Sequence, residues 1–87
     1  MLMLSSTVSI KHEEENYMLF DNSNGNIYKI NEVSHKILSL CDGENSNENI
    51  ILSLTNEFDV AKADVKKDFN DLIKILLNKQ YIYDNDN

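Results

Sequence analysis

His35 and Cys41 are the pair best placed by type to hold a metal or make a nucleophile, and their spacing defeats both uses. Six residues apart on one helix, they lie roughly 240° around its axis and cannot share an ion. His12 belongs to a charged stretch, His12 to Asn16 (HEEEN), with no cysteine nearby. The run Glu13-Glu14-Glu15 offers carboxylates, but a calcium loop alternates its ligands around a fixed glycine, and none stands here. A phosphate-cradling loop is excluded by a chain with only two glycines, and no serine or cysteine has a base set beside it by spacing. The residues therefore support neither catalysis nor a cofactor, and the chain reads as a non-enzyme.

Charge narrows the partners. Net charge is −7 with a pI near 4.6, and all eight cations are Lys. Nucleic acid and anionic membranes, whose attraction depends on clustered cations, are disfavoured as partners, and without Arg the bidentate contact to guanine is absent. A lone cysteine permits no internal disulfide, Met1-Leu2-Met3-Leu4 is too short an apolar start for a signal peptide, and no run reaches membrane-spanning length. The expectation is one soluble cytoplasmic domain over residues 1–87, its core about 8–82, monomeric or weakly dimeric.

The elements come from periodicity. Thr7 to Lys11 alternates as a half-buried strand, Tyr17 to Phe20 gives a second and Ile27 to Ile30 a third, joined by an Asn24-Gly25 turn of the kind that tolerates positive φ at both central positions. The result is an antiparallel meander with the third strand at an edge. Asn31 caps a helix over about Glu32 to Cys41 that buries Val33, Ile37, Leu40 and Cys41 and closes at Asp42-Gly43. Ser46 or Asn47 starts a second helix to about Phe58, burying Ile50, Ile51, Leu54 and Phe58. The longest helix, about Lys62 to Lys79, buries Val65, Phe69, Leu72, Ile73, Leu76 and Leu77. Leu52 and Ile75 fall off these stripes. Tyr81 to Tyr83 offers a terminal strand, and Asp84 to Asn87 is a polar tail.

An edge strand normally carries proline, a bulge or inward charge, and this one has Lys29 alone. Two readings stand side by side: an extended peptide adds to the edge through backbone bonds, or the edge is covered by the long helix or a second copy of the chain.

The order Phe20-Asp21, Tyr28-x-Ile30-Asn31-Glu32, Ile37-Leu38-x-Leu40-Cys41-Asp42-Gly43, then Ile50, Leu54, Phe58, Val65-x-x-Asp68 and Leu72-Ile73 resembles the PqqD-like family, the RiPP recognition elements, over about Val8 to Ile82. The resemblance implies an α+β, winged helix-turn-helix-like fold: a three-stranded antiparallel sheet followed by three helices. It also implies capture of the leader of a ribosomally made precursor peptide as a further strand, lying against the third helix. Carried onto this chain, the peptide-binding positions are Ile27, Tyr28, Lys29, Ile30 and Asn31 on the strand and Val65, Asp68, Phe69, Leu72, Ile75 and Lys79 on the helix. Such domains serve a radical SAM enzyme, another modifying enzyme or a lasso-peptide leader peptidase. Family members often have Gly where this chain has Gln80, and an acidic or proline-containing cap where it has Ala61-Lys62. The competing classes are a winged-helix DNA-binding regulator and a small module dimerising through its sheet edge.

Overall fold

The structure is a computed structural model, and it describes residues 1–85. The order is β1 (Leu2–Leu4), β2 (Val8–Glu13), β3 (Asn16–Asp21), β4 (Asn26–Ile30), α1 (Glu32–Leu40), α2 (Asn47–Phe58), α3 (Lys62–Asn78) and β5 (Ile82–Asp84). Strands β2, β3 and β4 form the antiparallel meander expected, in that spatial order. The α+β class with three helices after the sheet is thus the one observed. Phe69, Ile37, Ile50, Leu54 and Ile82 are the largest fully buried side chains, so every helix sends at least one residue into a common core.

Side-chain caps set two helix starts. The Asn31 Oδ1 accepts from the Ser34 amide at 2.7 Å and the Ser46 Oγ from the Asn49 amide at 3.1 Å. The charged HEEEN stretch is largely strand: β2 runs on to Glu13, and Glu14, at φ +55°, turns the chain toward Asn16. Ladder pairing needs no apolar side chains, and the His12 and Tyr17 rings stack 4.1 Å apart across it. The β3–β4 connection spans residues 22–25, longer than the two-residue turn expected. Asp21 is the reason: its Oδ1 accepts from the Ser23 amide at 3.0 Å, its carbonyl accepts from the Gly25 amide at 2.9 Å, and only Gly25 takes positive φ.

A second sheet was not expected. β1 pairs antiparallel with β5, Leu2 opposite Asp84 and Leu4 opposite Ile82. Gly43, read from sequence as closing α1, instead turns the chain under β1. Helix α1 ends at the Cys41 cap, the Gly43 amide donates to the Leu2 carbonyl at 3.0 Å, and a β-carbon at Gly43 would stand 3.3 Å from the Met3 sulfur. Two burial assignments also change. Leu38 is buried because α1 packs against both the sheet and α2, and Leu77 is 41% exposed because it sits on the last turn of α3, facing a hollow beside Ser5, Gln80 and Tyr83.

The two departures at the ends of α3 have physical consequences. Ala61 makes no side-chain cap bond. At the other end the Tyr81 amide donates to the Leu76 carbonyl and the Gln80 amide to the Leu77 carbonyl, both at 3.0 Å, a Schellman closure with Gln80 at φ +61°. That conformation suits glycine, so Gln80→Gly should stabilise the domain by about 0.5–1 kcal/mol. The check is a melting temperature several degrees higher, at about 4–8 °C per kcal/mol for this size.

Candidate peptide-binding groove

Among the described residues β4 pairs only with β3, and its residues Asn26 to Lys29 are exposed, Ile27 at 61%, so α3 does not cover the edge. Its pleat divides the strand positions. Tyr28 and Ile30 stand opposite Leu19 and Tyr17 on the face that meets the helices, while Ile27 and Lys29 stand opposite Phe20 and Met18 on the other face. Tyr28, Ile30, Ile75 and Lys79 line one hollow with Leu19, Leu76 and Tyr81, a cavity of about 130 Å³. Ile75 is 53% exposed at its lip.

One helical turn further toward the start of α3, Asn31, Asp68 and Leu72 line a second hollow of about 250 Å³ with Ser34 and Asp71. Val65 and Phe69 lie elsewhere. Both are buried, and they line a third, apolar hollow of about 140 Å³ among Leu54, Phe58 and Val60, which shares Val33, Ile37 and Asp68 with its neighbours. The eleven expected positions therefore divide into the hollow between β4 and α3, the hollow between α1 and α3 beyond the end of β4 (the two together form the groove), an outward strand face, and core residues.

Tyr81, Leu19, Ser34 and Asp71 join the groove without having been singled out from sequence. Only Asp71 had a signal, three residues after Asp68 and hence on the same helix face. The sequence pattern places Tyr81 in the terminal strand, but β5 starts at Ile82 and the closure of α3 swings Tyr81 against Tyr28, ring centroids 6.2 Å apart. The hydrogen bond with Tyr28, then burial and Asp21, push the Tyr81 phenol up. The Tyr28 phenol is lowered by that same bond, by the Asn26 amide at 3.3 Å and by Lys79. Asp21, 6% exposed, is held below the ordinary carboxylate range chiefly by Ser23. Tyr28, one wall of the groove, is thus fixed from beneath.

The chemistry-bearing residues stay apart from this groove. Cys41 is buried, its thiol pushed up to about 11 by desolvation and then by Asp42, which leaves it protonated and unreactive. His35 packs with His12 and Tyr17, and burial, then His12 and Lys36, lower its pKa. Among the described residues no three His, Cys, Asp or Glu converge to hold a metal.

The profile of a known family, coenzyme PQQ synthesis protein D (PqqD), matches residues 16–82. The chain belongs to the PqqD family. No curated protein matches it. Two solved structures share the fold: TbiB1 in complex with the TbiA(beta) leader peptide, 22% identical with a TM-score of 0.79 over 98% of this chain and 99% of that one, and a lasso peptide synthetase B1 complexed with the leader peptide, 20% identical with a TM-score of 0.78 over 94% and 96%. This PqqD-family fold accounts for both the meander and the helix order. Among the described residues no helix is long and apolar enough to cross a membrane.

Proposed function

We propose that the chain binds the leader of a ribosomally synthesised precursor peptide as a strand added to β4, and presents it to a modifying enzyme or leader peptidase without doing chemistry itself. The observation that carries this reading is the uncovered β4 edge beside an apolar hollow walled by Tyr28, Ile30 and Ile75. Backbone bonds along the edge supply affinity, and the hollow receives an inward-facing side chain. The solved relatives bound to leader peptides agree with it. The protein works in the cytoplasm as a monomer or weak dimer, and raises the substrate concentration its enzyme meets.

A strand of about five residues with one or two seated side chains gives a micromolar Kd, about −8 kcal/mol, after ordering the peptide has cost some 2–5 kcal/mol. Titration of the cognate leader should shift amide resonances of β4 and the Leu72–Lys79 turns of α3. Shifts confined to α1 and the Glu14 turn would overturn the assignment. Ile75→Asp should raise Kd about tenfold or more with little change in melting temperature, since a charge at the lip is solvated in the free protein and desolvated by the peptide.

DNA binding is disfavoured by the −7 net charge, and along α3 Asp64, Asp68 and Asp71 interrupt the lysines.

A further inference from the structure

The two charged ends of the groove differ in sign. Asp68 and Asp71 stand at one end, lining the hollow with Asn31, Ser34 and Leu72, and neither makes an ion pair or hydrogen bond within the described residues. Lys79 stands at the other, on the rim of the apolar hollow and close enough to lower the Tyr28 phenol. Leu72 and Ile75 lie between. A rise of about 1.5 Å per residue puts Lys79 roughly 12–16 Å along the helix from the two carboxylates. Four steps of an extended chain span about 13 Å. The two spans match, so three successive inward side chains of a strand that runs along β4 and past its end have the reach to meet the carboxylates, the apolar middle and the lysine in turn.

Resting on the strand-addition reading above, we propose that the groove selects its peptide by charge order: a basic, an apolar and an acidic side chain at alternate positions, met in that order from the peptide's N-terminus. The direction follows from pairing. All three strands of the meander are antiparallel, and an antiparallel addition is slightly more stable per residue than a parallel one. β4 runs from Tyr28 and Ile30, which line the hollow with Lys79, to its end before Asn31, which lines the hollow with Asp68 and Asp71. The N-terminal side of an antiparallel guest thus meets the carboxylates and its C-terminal side meets Lys79. The groove itself, not the protein's net charge, does the sorting, because overall repulsion acts alike on peptides of equal charge.

Two synthetic peptides test this, one containing Lys-Thr-Leu-Thr-Glu and the other Glu-Thr-Leu-Thr-Lys, between identical neutral flanks. Composition and net charge are the same, so only order differs. Exposed ion pairs are weak, and exchanging the ends turns two attractions into two repulsions; the Lys-first peptide should bind roughly tenfold tighter at low salt. The difference should shrink at high salt. Asp68→Asn combined with Asp71→Asn should bring the two peptides closer in affinity, and melting curves of that exposed double variant confirm the fold. Equal affinities, or tighter binding of the Glu-first peptide, would overturn charge order and leave strand addition standing. Failure of both peptides to bind a protein that still binds its cognate leader would also overturn it. Failure of the cognate leader itself would remove the reading on which charge order rests.

Discussion

Lys29→Pro should abolish leader binding, raising Kd by about a hundredfold or more, while leaving most of the fold intact. Proline deletes an amide donor, fixes φ near −65° and places its ring where an incoming strand must lie. An edge strand is where a sheet tolerates this, because the loss falls on one ladder and not on two. Among the described residues β4 has only β3 as a partner, and Lys29 is exposed opposite Met18. The decisive comparison is Lys29→Ala. The Lys29 side chain projects from the face away from the groove, so its removal should change affinity only slightly. Equal losses in the two variants would mean that the side chain and not the backbone is read. Normal binding by Lys29→Pro, with an unchanged melt, would mean that β4 is not the receiving edge.

Phe69→Ala should cost roughly 3–5 kcal/mol of stability. Phe69 is 1% exposed and packs at the centre of the core, with a hollow of about 140 Å³ already beside it, so the truncated site joins an existing void. At roughly 0.05–0.15 kcal/mol per residue a domain of this size has about 4–13 kcal/mol in total, which makes the loss a large part of the whole. Denaturant titration should show the midpoint collapse with little change in slope. Phe69→Leu, which keeps most of the volume, should cost about 1.5 kcal/mol or less. A Phe69→Ala protein as stable as its parent would show that the residue is not the core anchor described.

The contrast between Phe69 and Ile75 shows what periodicity can carry. Both are large and apolar on one helix, but Phe69 falls on the stripe with Val65, Ile73 and Leu76, while Ile75 falls outside it, and their burial follows. The caps at Asn31 and Ser46 were equally legible, because each needs one oxygen at one position. β1 was not: its partner lies at the far end of the chain, and three apolar residues carry no periodic signal. Nor was the longer β3–β4 loop, where the Asp21 carboxylate and carbonyl outweigh the turn preference of Asn24-Gly25.

For the groove, sequence supplied a strand and a helix as continuous runs, and the pleat then separated Tyr28 and Ile30 from Ile27 and Lys29. Tyr81 was hidden for a different reason. Its place in the floor depends on how α3 ends, and Gln80 gives no glycine to mark that left-handed turn.

The pairing of β1 with β5 bears on the order in which the molecule assembles. Leu2 meets Asp84, and the Met1 amino group lies 3.0 Å from the Asp84 carboxylate. Most other contacts link neighbours in sequence, such as the β2–β3 and β3–β4 hairpins and the α2–α3 pair, and these can form early. Closing a loop that encompasses nearly the whole chain is entropically favourable only after the intervening elements have condensed. The two-stranded sheet therefore closes last in folding and reopens first, and its amides should exchange with solvent faster than those of the meander, through excursions that leave the groove assembled.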